Sequence, residues 1–383
     1  MNLDVLNVLV VATKSPLPPI DGGRLLLALT LEALEAAGCR TTLVAPELKP
    51  ADPKRVAVRS AFSGQPLAIA RHWQPALAQE VECRLAAERF DLVHVEQLQA
   101  LPQAGPAFRR GVPVVLREQN VESDLWAATA ARTPGLKGRL LGIESRRLAR
   151  WEGRAVRRVA ATLPLTEEDA SRLRWLSGGG GRIRVVRAPF PDLPPGPAFL
   201  PGDPPLVLLV SRGWLPNEDS VAWFLRDVWP AVRAEAPGAV LHIFGADPGS
   251  SPPAGAVHHP APQNSAEAFA PGSILAVPLR IASGVRMKIL EAWARGVPVV
   301  GTPAAVSGLE AENGRELLVA ADALDFARAV ARLHREPGLA QRLVEEGRRA
   351  RFERHDPARI VADLLEVYLE VVGREVVAGS ASR

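Results

Sequence analysis

Cysteine is nearly missing from these 383 residues: Cys39 and Cys83 stand far apart, with no Cys-x-x-Cys spacing. Two isolated thiols read as small buried apolar residues and exclude a disulfide framework or a cysteine metal centre. The seven histidines form no His-x-x-x-His or His-Glu-x-x-His set. His258 and His259 are adjacent, so on a strand they point to opposite faces. Neither metal nor cofactor is expected. No apolar run approaches the ~20 residues of a membrane span. The opening stretch, MNLDVLNVLVVATKSP, has no basic residue before its apolar part and reads as a first buried strand, not a signal peptide. A reducing cytoplasm fits. Lysine is scarce too: it occupies only positions 14, 49, 54, 137 and 288, and arginine carries nearly all other positive charge.

What is present is an ordinary globular composition, 47% hydrophobic and 23% charged, in a chain long enough for two domains. Apolar runs such as DVLNVLVVA, TTLVA, FDLVHV and GVPVVLRE alternate with helical patterns such as RLLLALTLEALEAAG. Continuous Val/Ile/Leu runs indicate parallel strands buried on both faces, and the alternation indicates βαβ units. A proline-rich stretch, 188–204, interrupts the alternation and cannot supply regular ladder or helix bonds. The expected division is a domain at 1–187, a linker at 188–204, a second domain at 205–352, and a helical segment at 353–383 packing back on the first domain. RGVPVV occurs at 110–115 and again at 295–300, each time where a helix ends and a strand begins.

The net charge of +4 hides a local excess: residues 136–158 hold eight Lys or Arg and two Glu. Arg139, Arg146, Arg150, Arg154 and Arg157 fall on one side of this helix, with Leu141, Leu148, Trp151 and Ala155 roughly opposite. One reading is a solvated face on a core-packed helix. The other is docking on anionic lipid headgroups, each basic residue worth roughly 1 kcal/mol. Nucleic acid is disfavoured, because no helix-turn-helix, aromatic platform or zinc spacing accompanies the charge.

The stretch SGVRMKILEAWARGVPVVGT, 283–302, carries the most chemistry. It opens on a turn-like Ser283-Gly284 and becomes a helix, and helical spacing would place Gly284, Lys288, Glu291 and Arg295 on one face. Arg286 and Lys288 would then sit at the positive end of the helix dipole, where cations are disfavoured. A plain Lys288–Glu291 surface pair is one reading, worth a few tenths of a kcal/mol. The other is a diphosphate held by Arg286, Lys288 and the backbone amides after Ser283-Gly284, with Glu291 one turn deeper accepting from ribose hydroxyls. Elsewhere, Glu118 and Asn120 flank Gln119 at a strand's carboxyl end, where open α/β sheets place ligands. Asn120 equally suits the cap of the helix VESDLWAATAA. Arg212 also ends a strand. Gly22 and Gly23 fit either a turn needing positive φ or a close backbone approach to a ligand. SGGGG at 177–181 lacks the Lys-Ser/Thr of a P-loop and reads as a loop. Trp214 and Trp223 read as core.

These segments, in this order, resemble the family-four glycosyltransferases. PPIDGGRLLLALTLEALEAAG is similar to their glycine loop and first helix, LREQNVESDLW to a strand end reading R-E-H-N-V-E, and 283–291 to their donor-binding signature. The resemblance implies an α/β GT-B fold: two Rossmann-like parallel-sheet domains facing across a cleft, with a nucleotide-diphosphate sugar bound by the second and a hydroxyl acceptor by the first. It implies transfer with retained configuration to a polysaccharide, glycolipid or small glycoside. Arg212 and Lys288 would neutralise the leaving diphosphate, and Gln119 would stand at the family's catalytic His. Glu291 would hold the ribose; Ser283, Gly284, Val285, Gly308 and Leu309 would offer backbone to sugar or phosphate. Gly22 and Gly23 would approach the donor phosphate or acceptor, and Glu118 and Asn120 would line the acceptor side. Three departures stand out: Ser283 replaces a Glu, Gln119 replaces the His, and Asn217 replaces a second phosphate-binding Lys. They keep two other readings open: a weakened nucleotide-sugar-binding scaffold in a polysaccharide assembly system, and a nucleotide-sugar epimerase using Glu118 or His94. A cytoplasmic protein that meets the inner membrane face through 136–158 is the corresponding location.

Overall fold

The computed structural model describes residues 6–19, 21–46, 51–52, 56, 60, 64–197, 199–210, 215–245, 252–262 and 264–374. The chain divides into two compact units. The first takes Met1–Pro16, Leu27–Pro189 and Pro357–Arg383; the second takes Leu17–Leu26 and Phe190–Asp356. The sequence-based limits at 187 and 353 compare with crossings at 189/190 and 356/357. The proline-rich stretch from Phe190 onward groups with the second unit and is not a separate linker. Its contacts explain this: Phe190 N donates to His355 O at 2.7 Å, and His242 Nε2 bonds Pro201 O at 2.8 Å.

In the first unit, β1 (Asn7–Ala12), β2 (Arg40–Val44), β3 (Leu92–Glu96), β4 (Val114–Glu118) and β5 (Ala161–Pro164) form a parallel sheet in the order β2-β1-β3-β4-β5. The two-residue period of β1 explains its unbroken apolar sequence. Leu9 and Val11 pack with Ile69, Val81 and Leu148 on one face. Val8, Val10 and Ala12 pack with Leu27, Leu34, Ile360, Leu364 and Val367 on the other. Helices Gly22–Ala36 and Pro357–Val372 therefore help cover that second face. Cys39 belongs to this core, but Cys83 is exposed, a correction to the expectation of two buried thiols. It lies on helix Pro75–Ala87 between the inward Val81 and Leu85, so the helical period turns it out.

In the second unit, β6 (Pro205–Leu209), β7 (Val240–Phe244), β8 (Ala256–His259), β9 (Ile274–Val277), β10 (Val299–Gly301) and β11 (Leu318–Val319) form a parallel sheet in the order β11-β10-β9-β6-β7-β8. Leu206, Leu208, Leu241, Ile243 and Ile274 pack on Phe224, Trp229, Phe326 and Val330. Trp223 joins this core as expected; Trp214 lies outside the described residues. The repeated RGVPVV is one turn built once in each unit. Gly111 and Gly296 each end a helix in the left-handed region, φ 70° and 76°, and the following residues run into β4 and β10.

Helix Met287–Arg295 is held by its neighbour Pro337–His355. A Cβ added to Gly347 would stand 2.4 Å from Cδ1 of the buried Trp293, whose Nε1 donates to Glu316 O at 3.1 Å. Gly347→Ala is expected to lower stability by about 2 kcal/mol, because overpacking a fixed ring outweighs the ~1 kcal/mol alanine gains in a helix. Urea unfolding measures it, and an unchanged midpoint would contradict this account.

Candidate functional site

The second sheet reverses its strand order at β6, which lies between β7 and β9. At such a point the loops leaving adjacent strands diverge and open a crevice beyond the carboxyl ends. Here Leu208, Leu209 and Val210 from the end of β6, and Ala276, Val277 and Pro278 from β9, line a crevice with Asn217, Ser220 and Lys288. Asn217 and Ser220 are buried on helix Leu215–Trp223. Lys288 is half-buried and its Nζ donates to Leu209 O at 2.6 Å. Burial pulls its pKa from 10.5 down to about 8, and the nearby Arg286 cation adds to the fall. Lys288, Arg286 and a helix N-terminus thus bring three positive influences to one place.

The helix begins at Met287, with Arg286 as its cap, after the turn-like Ser283-Gly284. Residues 283–286 are the loop into it. Gly284 has φ 67°, which a side chain would strain, so it does not share the face of Lys288, Glu291 and Arg295. Val285 and Arg286 are buried and Ser283 is half-buried. Nor do Lys288 and Glu291 pair. Glu291 is 3% exposed, and its Oε1 accepts from Ser265 Oγ at 2.6 Å and from Arg295 Nε at 2.9 Å. Arg295 is anchored in turn on Pro194 O at 2.9 Å. Oε2 makes no hydrogen bond among the described residues. The carboxylate is clamped by one oxygen and keeps the other for a donor.

The remaining sequence-predicted residues of this unit divide. Gly308 is left-handed at φ 80°. Leu309 is buried and its carbonyl accepts from Arg354 Nη1 at 3.3 Å. Gly22 and Gly23 lie in the first turn of helix Gly22–Ala36, so neither serves a turn needing positive φ. Asp21 caps that helix, its Oδ1 accepting from the amides of Gly23 and Arg24 at 3.0 Å each. A Cβ on Gly22 would meet Met287 Cγ at 3.4 Å, so the glycine turn lies beside the start of the Lys288 helix. Arg212 lies outside the described residues.

In the first unit, polar side chains gather where β1, β3 and β4 end. Gln119 Nε2 donates to Glu96 Oε1 at 2.8 Å, and its Oε1 accepts from Gln97 Nε2 at 2.7 Å. Thr13 Oγ1 donates to Gln97 Oε1. Glu96 Oε2 bonds His94 Nε2 at 3.0 Å, and His94 Nδ1 meets the Tyr368 hydroxyl at 2.6 Å. Burial alone would raise the Glu96 carboxyl; the bonds from His94 and Gln119 and the charge of Arg117 outweigh it and hold the pKa below its ordinary 4.5. An ionised Glu96 accepts only, so the Gln119 amide must face it with its NH₂. Gln97 has φ 75° and ψ 143°, a region comfortable only for glycine. Its side-chain and backbone bonds, including N to Arg117 O at 3.0 Å, hold it there.

Two expectations here are corrected. Glu118 does not line an acceptor loop: it is 1% exposed and neither carboxylate oxygen finds a hydrogen bond among the described residues. Burial, reinforced by Glu152, Glu122 and Asp169, pushes its pKa well above the carboxylate range. Asn120 does not cap the following helix, which runs Glu122–Arg132 after Val121. The cap comes from another helix: Glu152 accepts from the amides of Glu122 and Ser123 at 2.8 and 3.3 Å and from Ser123 Oγ at 2.5 Å. Asn120 instead hydrogen-bonds the Glu122 side chain.

Two family profiles match the chain: one described as Glycosyltransferase Family 4 over residues 20–191, and one described as Glycosyl transferases group 1 over residues 204–336. No curated protein matches it in sequence. Among solved structures it is similar to sucrose-phosphate synthase from Thermosynechococcus elongatus, with a TM-score of 0.71 at 15% identity over 96% of this chain and 99% of that one. It is similar to Anabaena HepE in complex with UDP-glucose, with a TM-score of 0.65 at 14% identity over 95% and 100%. A glycosyltransferase from Rickettsia africae gives 0.63 at 12% identity over 97% and 100%. These likenesses show the GT-B fold.

Proposed function

The chain belongs to the family-four glycosyltransferases of GT-B fold, and from that premise we infer that it moves a sugar from a nucleotide-diphosphate sugar to a hydroxyl acceptor with retained configuration. The anomeric carbon–diphosphate oxygen bond breaks, the acceptor oxygen bonds the same carbon, and the hydroxyl proton leaves with the diphosphate. Lys288, Arg212 and the amides at the start of the Met287 helix stabilise the departing charge, the largest kind of contribution an enzyme makes to such a step. Arg286 and Lys288, uncomfortable beside each other in the free protein, gain an anion between them.

The single observation that carries this reading is Glu291, held on Oε1 by Ser265 and Arg295 with Oε2 unbonded among the described residues. A clamped carboxylate beside a diphosphate subsite is suited to accept from a ribose diol. HepE is solved with UDP-glucose, with UDP and glucose, and with UDP, so UDP is the first nucleotide to offer and GDP the second. Glu291→Ala is expected to weaken the preferred diphosphate about 30-fold by calorimetry, the loss of charge-assisted hydrogen bonds. A 2′,3′-dideoxy analogue should lose as much with wild type and little more with the variant. If the variant binds UDP and GDP as wild type does, the assignment of this site is wrong. Gln119, Asn120, Gly22 and Gly23 are assigned to the acceptor or phosphate side. No helix among the described residues is long and apolar enough to cross a membrane. In this reading the enzyme is cytoplasmic and meets the inner membrane face peripherally through residues 136–158, where a lipid-linked acceptor would be at hand.

A further inference from the structure

We propose that the exposed face of helix Gly135–Arg158 sinks three aliphatic side chains into the interface of an anionic lipid surface. The proposal rests on the peripheral-contact reading and identifies the side chains that make the contact. Leu136, Leu140 and Ile143 are 72%, 55% and 52% exposed. Their i, i+4, i+7 spacing stacks them on one helix face. Arg146, Arg150 and Arg154 continue that face at four-residue steps, and Lys137 and Arg139 stand among the aliphatics. Lys137, Arg139, Arg146, Arg150 and Arg154 make no hydrogen bond, ion pair or ring contact among the described residues. The other arginines of the helix are occupied within the unit. Arg147 donates to Ser60 O and Gln65 O, Arg157 to Ser177 O, and Arg158 lies 4.1 Å over the Phe108 ring. Both acids turn inward: Glu144 accepts from Leu67 N at 2.9 Å, and Glu152 is buried. The outward face is therefore aliphatic at one end, cationic along the rest, and free of acid.

This combination selects its partner by charge and polarity together. A nucleic acid would match the guanidinium groups and leave the aliphatics in water. A neutral apolar partner would do the reverse. At an anionic bilayer the aliphatics enter the boundary between headgroups and acyl chains while the basic heads stay at phosphate level. The opposite face keeps the helix in place, with Leu148, Ala155 and Val156 buried, so docking needs no unfolding.

Flotation of the full chain with vesicles tests this. Wild type should float with phosphatidylcholine–phosphatidylglycerol vesicles and stay behind with phosphatidylcholine alone. The triple variant Leu136→Ser, Leu140→Ser, Ile143→Ser should lose about tenfold in partitioning per side chain withdrawn from the interface. Arg146→Gln with Arg150→Gln should lose about 30-fold, each basic residue contributing about fivefold. Melting temperature and nucleoside-diphosphate affinity should match wild type in both variants, which separates this test from that of the donor site. Wild type that ignores the anionic vesicles overturns the proposal, as does a triple variant that floats equally well. A wild-type dimer in sedimentation that the triple variant converts to monomer would assign the face to a second copy instead.

Discussion

Replacing Lys288 by methionine is expected to remove tight nucleoside-diphosphate binding while leaving the fold at least as stable. The two effects have one cause. Burial and Arg286 hold the Lys288 pKa at about 8, against 10.5 ordinarily. At ~1.4 kcal/mol per unit, keeping the ammonium charged in the native state costs roughly 3 kcal/mol at neutral pH. Methionine fills similar space without that charge. Turnover should fall about 100- to 1000-fold, the range seen when a preorganised charge-stabilising group is lost. The sign of the pH dependence follows. Between about 8 and 10.5 the unfolded chain holds a proton that the native chain has released, so Lys288's contribution to stability rises with pH over that window. Binding runs the other way, because a diphosphate restores the proton. Wild-type affinity should decline above about pH 8 with net proton uptake, detectable by calorimetry in buffers of different ionisation enthalpy. Lys288→Met should show neither trend. A variant that binds within threefold of wild type at pH 7 would disprove the role.

Glu96→Ala is expected to lower stability by about 3–5 kcal/mol, the penalty for stripping one partner from a buried charged network. It leaves His94, Gln119 and the buried Arg117 without their acceptor or counter-charge. Tyr368→Phe removes one hydroxyl at the far end and should cost about 1 kcal/mol. Glu96→Gln is the more informative change, because it keeps the shape but no longer dictates which end of the Gln119 amide faces it. Nucleoside-diphosphate affinity, which the proposed function assigns to the second unit, should be unchanged, while kcat falls. Unchanged kcat with lost stability would reduce the network to a packing role. Because the Glu96 pKa is depressed, its stabilisation is present above its ordinary 4.5 and lost as pH falls through the lower native value. The gap in stability between wild type and Glu96→Gln should therefore narrow in acid.

The strands were legible because parallel strands buried on both faces have no reason to alternate, and β1, β3 and β4 are written as plain apolar runs. Lys288 and Glu291 were legible because two cations at a helix start raise an electrostatic question by themselves. Gly284 was wrongly counted on the face of that helix, which starts only at Met287. Ser-Gly reads as a turn, but the left-handed φ that takes Gly284 off the helix face is a backbone property that residue identity only permits. Ser265, which orients Glu291, was missed because nothing near it in sequence marks it. The Tyr368–His94 bond spans 274 positions, and the Glu152 cap lies 30 positions from Glu122. No local pattern reaches that far. Glu118 misled for a related reason: an acid at a strand end suggests a ligand, but whether it is presented or entombed depends on what packs over it.

Strand β1 and helix Pro357–Val372 both belong to the first unit, and residues 190–356 of the second are made between them. During synthesis the apolar side chains Val8, Val10 and Ala12 emerge well before Ile360, Leu364 and Val367, which help cover them. The usual amino-to-carboxyl order of domain maturation is thereby inverted. The second unit can close its core while the earlier-made half of the first still lacks the helix Pro357–Val372 that completes the cover of its sheet face.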